Sequence, residues 1–176
     1  MVELVHQTDE MRSVGMLEIV NEPVRNEARD SSMRSKYYPK AVERIRAAEE
    51  KLSIDANDHL HIQTMDKYWG SGDPNEYLDD LIYMAYDDHR YLKWDTSVDP
   101  SHDNYISTSC ADNRDSNSPN IVDEWSLAVA DDVAKSPDWD PSSNTDFYGK
   151  WFAVHVHSYE QQQGQVFRTW KAQLND

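Results

Sequence analysis

Val14-Gly15-Met16-Leu17-Glu18-Ile19-Val20, closed at once by Asn21-Glu22-Pro23, decides how the rest of the chain is read. The run is nearly continuous in apolar residues rather than strictly alternating. That pattern predicts a strand buried on both faces, as in a parallel sheet covered by helices. Pro23 stops it, so the carboxylate of Glu22 sits just beyond the strand's C-terminal end. A second stretch has the same design, with Asn120-Ile121-Val122-Asp123 closed by Glu124-Trp125.

Working outward, short apolar runs alternate with longer amphipathic ones, which is the pattern of repeated strand–helix units. Strands are expected over residues 14–20, 60–65, 81–86, Asn120–Trp125 and 165–170. Pro39 suits a first helical turn, and Val42, Ile45, Ala48 and Leu52 then recur at helical spacing. Residues 2–11 read as a helix leading into the first strand, and a shorter helix beginning near Pro74 carries Tyr77 and Leu78 into the third. Ser101 is a candidate cap for a helix bearing Tyr105, Ile106 and Ser109, and Asp146 for one bearing Phe147, Trp151 and Val154, with Gly164 soon after. Residues 69–75, 112–119 and 134–144 are rich in Gly, Pro, Ser, Asn and Asp and read as loops. The expected class is α/β, a partial TIM (β/α) barrel of about five parallel strands, with residues 1–176 as one domain.

With 33 acidic against 17 basic residues, the formal charge is −16. Such a surface repels phosphate backbones, so no nucleic-acid partner is expected. No apolar stretch approaches the roughly 20 residues that cross a bilayer, and no membrane partner is expected. The opening residues carry neither the basic start nor the apolar stretch of a signal peptide. Cys110 is the only cysteine, so no intrachain disulfide can form, and its place in a helix predicts burial. Six Trp and ten Tyr serve either as core or as flat platforms for sugar rings.

In a strand–helix barrel, functional groups gather at the C-terminal ends of the strands. There the first strand offers Asn21 and Glu22, the third runs into Asp87-Asp88-His89-Arg90-Tyr91, the fourth ends at Glu124 and the fifth at Trp170-Lys171. Two carboxylates so placed are what glycosidic bond cleavage requires. An isolated Glu after a strand is otherwise a solvated loop residue. Asp87, Asp88 and His89 alone supply too few ligands for a metal centre. His155 and His157, two apart on a helix, do not share a face. Of His59 and His61, at a strand start, one is expected to be a hydrogen-bonded structural residue. No metal and no cofactor are expected.

Four segments taken in order, VGMLEIVNEPVRN (residues 14–26), YDDHRYLKW (residues 86–94), IVDEWSLAV (residues 121–129) and FRTWKAQL (residues 167–174), resemble glycoside hydrolase family 5. The resemblance is to its fungal exo-β-1,3-glucanase and endo-β-1,6-glucanase branch, and it covers essentially the whole chain. It implies a retaining hydrolase of cell wall β-1,6- or β-1,3-glucan, with Glu22 as acid/base and Glu124 as nucleophile. Asn21 then matches the residue bonding the sugar 2-hydroxyl, His89 and Tyr91 match groups flanking the nucleophile, and Trp170 matches the aromatic floor. A largely secreted family implies an extracellular protein acting on β-glucan oligosaccharide or polysaccharide.

The same resemblance marks departures. The family's eight-stranded barrel takes about 250 residues, and the strands found here match its fourth to eighth. Asp123 stands where the family usually has Gly, and would oppose ionisation of Glu124 if the two are close. Arg168 stands where an aromatic residue is usual. Five strands leave open apolar edges, which predicts either self-association into a homo-oligomer or an unusual cover over the edge. Two other readings stay open: a non-catalytic remnant or carbohydrate-binding module, and a fragment that works only with a complementing first half.

Overall fold

All five expected strands form in the computed structural model, which describes residues 1–70, 72–112 and 119–169. The class is α/β, with parallel strands in the consecutive order of a (β/α) barrel and helices between them, except that among the described residues none separates the second strand from the third. The chain divides into two units, Met1–Asp87 and Asp88–Asp176.

In the first unit, β1 (Met16–Glu18) pairs in parallel with β2 (His61–Thr64), Leu17 opposite Ile62. β2 pairs in parallel with β3 (Met84–Arg90), Ile62 opposite Met84. Three helices accompany them: α1 (Val2–Gln7), α2 (Glu27–Ser32) and α3 (Tyr38–Lys51). Pro39 lies in the first turn of α3, where its fixed φ suits the helix and its missing N–H costs nothing. Ile45 then packs with Val2, Ile62 and Met84, supported by Val42, Ala48, Leu17 and Ile19. α3 ends in a Schellman closure: Ile54 N–H donates to Glu49 O at 3.0 Å and Ser53 N–H to Glu50 O at 2.9 Å. Ser53 adopts the required left-handed conformation (φ 57°).

Glu49 anchors this unit. It is fully buried, and its carboxylate accepts from Leu60 N–H and from Arg46, each at 2.8 Å, with His6 at 3.4 Å. His59 approaches it at 3.8 Å, beyond hydrogen-bond length, and His61 is exposed. Burial alone would raise the Glu49 pKa, but the Leu60 N–H and Arg46 outweigh it and hold the carboxylate below its usual range.

In the second unit, β4 (Asn120–Trp125) pairs in parallel with β5 (Gln165–Phe167), with a register irregularity between Val122 and Trp125. α4 (His102–Cys110) begins at Ser101, whose hydroxyl accepts from Asn104 N–H at 3.2 Å, as expected. α5 (Thr145–Tyr159) sets Phe147 and Trp151 against Leu92, Tyr105 and Trp139. Val122, Trp125 and Tyr159 form a second cluster. Most Trp rings here are therefore core.

A buried polar chain links α4 and α5. Trp151 Nε1–H donates to Ser109 Oγ at 2.9 Å, and Ser109 Oγ lies 3.1 Å from His155 Nε2. Tyr159 O–H donates to Asp112 at 2.8 Å, so its oxygen accepts from His155 Nδ1–H at 2.9 Å. This leaves Nε2 to accept from Ser109, and the ring is neutral. Burial pushes its pKa down to about 3.

Several expectations are corrected. β3 begins at Met84 and runs through Arg90, so Asp87, Asp88 and His89 are buried strand residues rather than a loop beyond it. Leu81 and Ile82 are exposed turn residues. The segment at Pro74 is a turn, not a helix, and Asp146 lies in the first turn of α5 without capping it. α2 was not anticipated. Asn26 caps it through Arg29 N–H at 3.1 Å, and a five-residue π turn (Met33–Tyr37) joins it to α3. Cys110 ends α4 exposed rather than buried. Among the described residues, no helix is long and apolar enough to cross a membrane.

Candidate functional site

At the C-terminal end of β1 the ladder persists for one residue, as Ile19 N–H donates to Gln63 O at 3.1 Å. The chain then turns. Asn21 is exposed, Glu22 half-buried and Pro23 buried. Glu22 has φ 43°, a left-handed conformation that costs a non-glycine residue on the order of 1 kcal/mol. Such strain persists only where the surroundings impose it, and it gathers at functional sites. A cavity of about 360 Å³ lies against this turn, lined by Asn21, Glu22 and Pro23 and, from α2 and the π turn, by Arg29, Asp30 and Met33.

In the second unit, His89 and Tyr91 at the end of β3 meet Glu124 near the end of β4. Tyr91 O–H donates to Glu124 Oε1, and Arg168, just after β5, forms an ion pair with the same oxygen. His89 Nδ1 stands 3.9 Å from Oε2. Only 14% of the Glu124 side chain is exposed, so its charge is largely desolvated. That burial would raise its pKa, but hydrogen bonds from Tyr91 and Arg168 and the charges of His89 and Arg168 pull it below the ordinary carboxylate value. Asp123 does not prevent this. The Tyr91 hydroxyl is raised, first by burial and then by the carboxylate it serves.

Thus His89, Tyr91 and Glu124 come together, and Asn21 and Glu22 share one turn. Trp170 lies outside the described residues. Two groups, one beside Glu124 and one beside Tyr91, carry no local signal in the sequence. Nothing near Arg168 in sequence marks it as a partner of Glu124, which lies 44 residues upstream. Trp94 is 60% exposed and sits edge-on to Tyr91, with centroids 4.9 Å apart. Its exposure beside a charged site is the signal of a platform rather than of core.

Chemically, Glu124 is a carboxylate kept ionised in a partly buried setting, oriented through Oε1 while Oε2 faces an imidazole. That suits a nucleophile or a buried ion-pair anchor. No family model matches the chain. The chain is 64% identical over 170 residues to an Aspergillus terreus protein named probable glucan endo-1,6-beta-glucosidase B, covering 97% of this chain and 42% of that protein. Similarity to the Aspergillus fumigatus protein of the same name is 63% over 172 residues, covering 98% and 43%. To the Emericella nidulans glucan endo-1,6-beta-glucosidase B it is 56% over 176 residues, covering 100% and 43%. The chain thus spans less than half the length of these relatives.

Proposed function

We propose that this chain, which resembles the endo-β-1,6-glucanase branch of glycoside hydrolase family 5, carries both carboxylates of a retaining β-glucan hydrolase acting on β-1,6- or β-1,3-glucan. The observation that carries the reading is Glu124, held ionised at the end of β4 by Tyr91 and Arg168. In the first step Glu124 attacks the anomeric carbon while Glu22 protonates the departing glycosidic oxygen. Glu22 then takes a proton from the water that releases the sugar from Glu124. Tyr91 and His89 orient the nucleophile, Asn21 bonds the sugar 2-hydroxyl, and Trp170 supplies the floor beneath the ring. The chemistry as written needs no cofactor.

A fluorinated glucoside that traps the glycosyl-enzyme should label Glu124, with reducing sugar released from pustulan or laminarin. Labelling elsewhere, or release undiminished in Glu124→Gln and Glu22→Gln, would refute the assignment. An extracellular location follows from the same reading, and detection of the protein only inside cells would count against it. Self-association through sheet edges predicts a solution mass above 20.5 kDa.

A second reading has its own support in the Arg168 ion pair, which ties up one oxygen of the Glu124 carboxylate. A glucan-binding module without hydrolysis would retain pustulan in Glu22→Gln and Glu124→Gln forms and lose it in Trp170→Ala.

A further inference from the structure

The turn that carries Glu22 is held by the neighbouring loop, which leaves β2. Trp69 Nε1–H donates to Pro23 O at 3.0 Å, directly beyond Glu22. Arg25 lies over the face of the same indole, its guanidinium carbon 4.4 Å from the ring centroid. Lys67 forms an ion pair with Glu27 at the start of α2. One loop therefore grips the segment after Glu22 at three successive points.

The gripping loop is itself pre-organised. Asp66, buried to 5% exposure, accepts from Tyr68 N–H at 2.7 Å and Gly70 N–H at 3.3 Å, and its backbone oxygen accepts from Trp69 N–H at 3.2 Å. Trp69 takes the left-handed conformation (φ 61°), as does Glu22 (φ 43°). Two non-glycine residues in that region, one of them donating its indole N–H to the carbonyl of the residue that follows the other, are over-determined by their surroundings rather than by local preference.

We propose that Trp69 is a positioning residue for Glu22: its indole N–H fixes the Pro23 carbonyl, and with it the direction in which the Glu22 carboxyl is presented for proton transfer. The inference rests on the reading of Glu22 as acid/base. Proton donation demands placement within hydrogen-bond reach of one oxygen, and a misplacement of about 1 Å costs on the order of a hundredfold.

The test compares substrates that need the acid with substrates that do not. Trp69→Phe removes the N–H and keeps a ring beneath Arg25. In the intact protein, kcat/KM on β-1,6-glucan should fall roughly tenfold to a hundredfold, as expected for a misplaced catalytic group. On a dinitrophenyl glycoside of a β-1,6-linked glucose disaccharide, whose leaving group departs unprotonated, kcat/KM should stay within about twofold. Equal losses on both substrates, or none on either, overturn the proposal. Glu22→Gln is run beside it: if it too slows both substrates alike, or if the unaltered protein turns over neither, the acid/base reading fails. If Glu22→Gln discriminates and Trp69→Phe does not, only the positioning role of Trp69 fails.

Discussion

Replacing Tyr91 with Phe removes one atom from beside Glu124 and leaves the ring packed edge-on against Trp94. The lost bond runs to a charged, largely desolvated carboxylate, so it is worth about 1.5–3 kcal/mol. Arg168 and His89 remain to compensate, which favours the lower end. At about 1.4 kcal/mol per decade, the ionisation constant of Glu124 should drop about tenfold. The sign follows from what the hydroxyl does: it stabilises the anion, so its loss raises the carboxylate's apparent pKa and moves the acid limb of activity toward neutrality. The same residue links to stability. A carboxylate depressed by folding contributes stability above its unfolded pKa, near 4.3, that is lost as pH falls through the folded value, and Tyr91→Phe shrinks that contribution. Carbon NMR titration of labelled Glu side chains, with Glu124→Gln identifying the resonance, reads the effect without any need for turnover. A titration curve for Glu124 that stays put, or shifts to lower pH, would refute the account of how this carboxylate is held.

Glu49→Ala strands Arg46 and the Leu60 N–H in a buried setting and should cost about 3–5 kcal/mol in urea denaturation; an unchanged midpoint would show that the cluster is dispensable. Tyr38→Phe leaves the buried Met65 carbonyl without the hydroxyl that donates to it at 2.6 Å, and should cost about 1–3 kcal/mol in the same assay. His155 is neutral in the fold with its pKa near 3, so the unfolded chain binds a proton that the folded one refuses between about pH 3 and 6.5. Stability should therefore rise with pH across that window and level off above it. His155→Gln should flatten the slope, and an unaltered pH profile of thermal melting would contradict the neutral assignment.

β4 was legible to the residue because Ile121, Val122 and Trp125 are apolar and a polar stretch of sequence precedes them. β3 was misplaced because hydrophobicity and burial part company there. Leu81 and Ile82 are apolar yet 54% and 66% exposed, whereas Asp88 is charged and fully buried. Its burial is possible because Arg90 reaches it at 2.7 Å and Asn120 at 3.3 Å, partners that no local pattern reveals. α2 lacks an apolar stripe and announces itself only through Asn26 and an acidic first turn. His89, Tyr91 and Glu124 were found through ordered segments resembling a known family. The grip of Trp69 on Pro23 spans 46 residues and involves a backbone oxygen, which every sequence possesses.

The π turn between α2 and α3 carries one residue more per turn than a regular helix, and that surplus sets the rotational phase between what precedes and follows it. Downstream, Tyr38 is aimed inward at Met65; upstream, Asp30 and Arg29 face the hollow beside Glu22. Deleting a single residue from the turn would relax it to α geometry and swing α2 by about 100°. The lining of that hollow is thus indexed to a count of residues, and this stretch should accept substitutions far more readily than length changes.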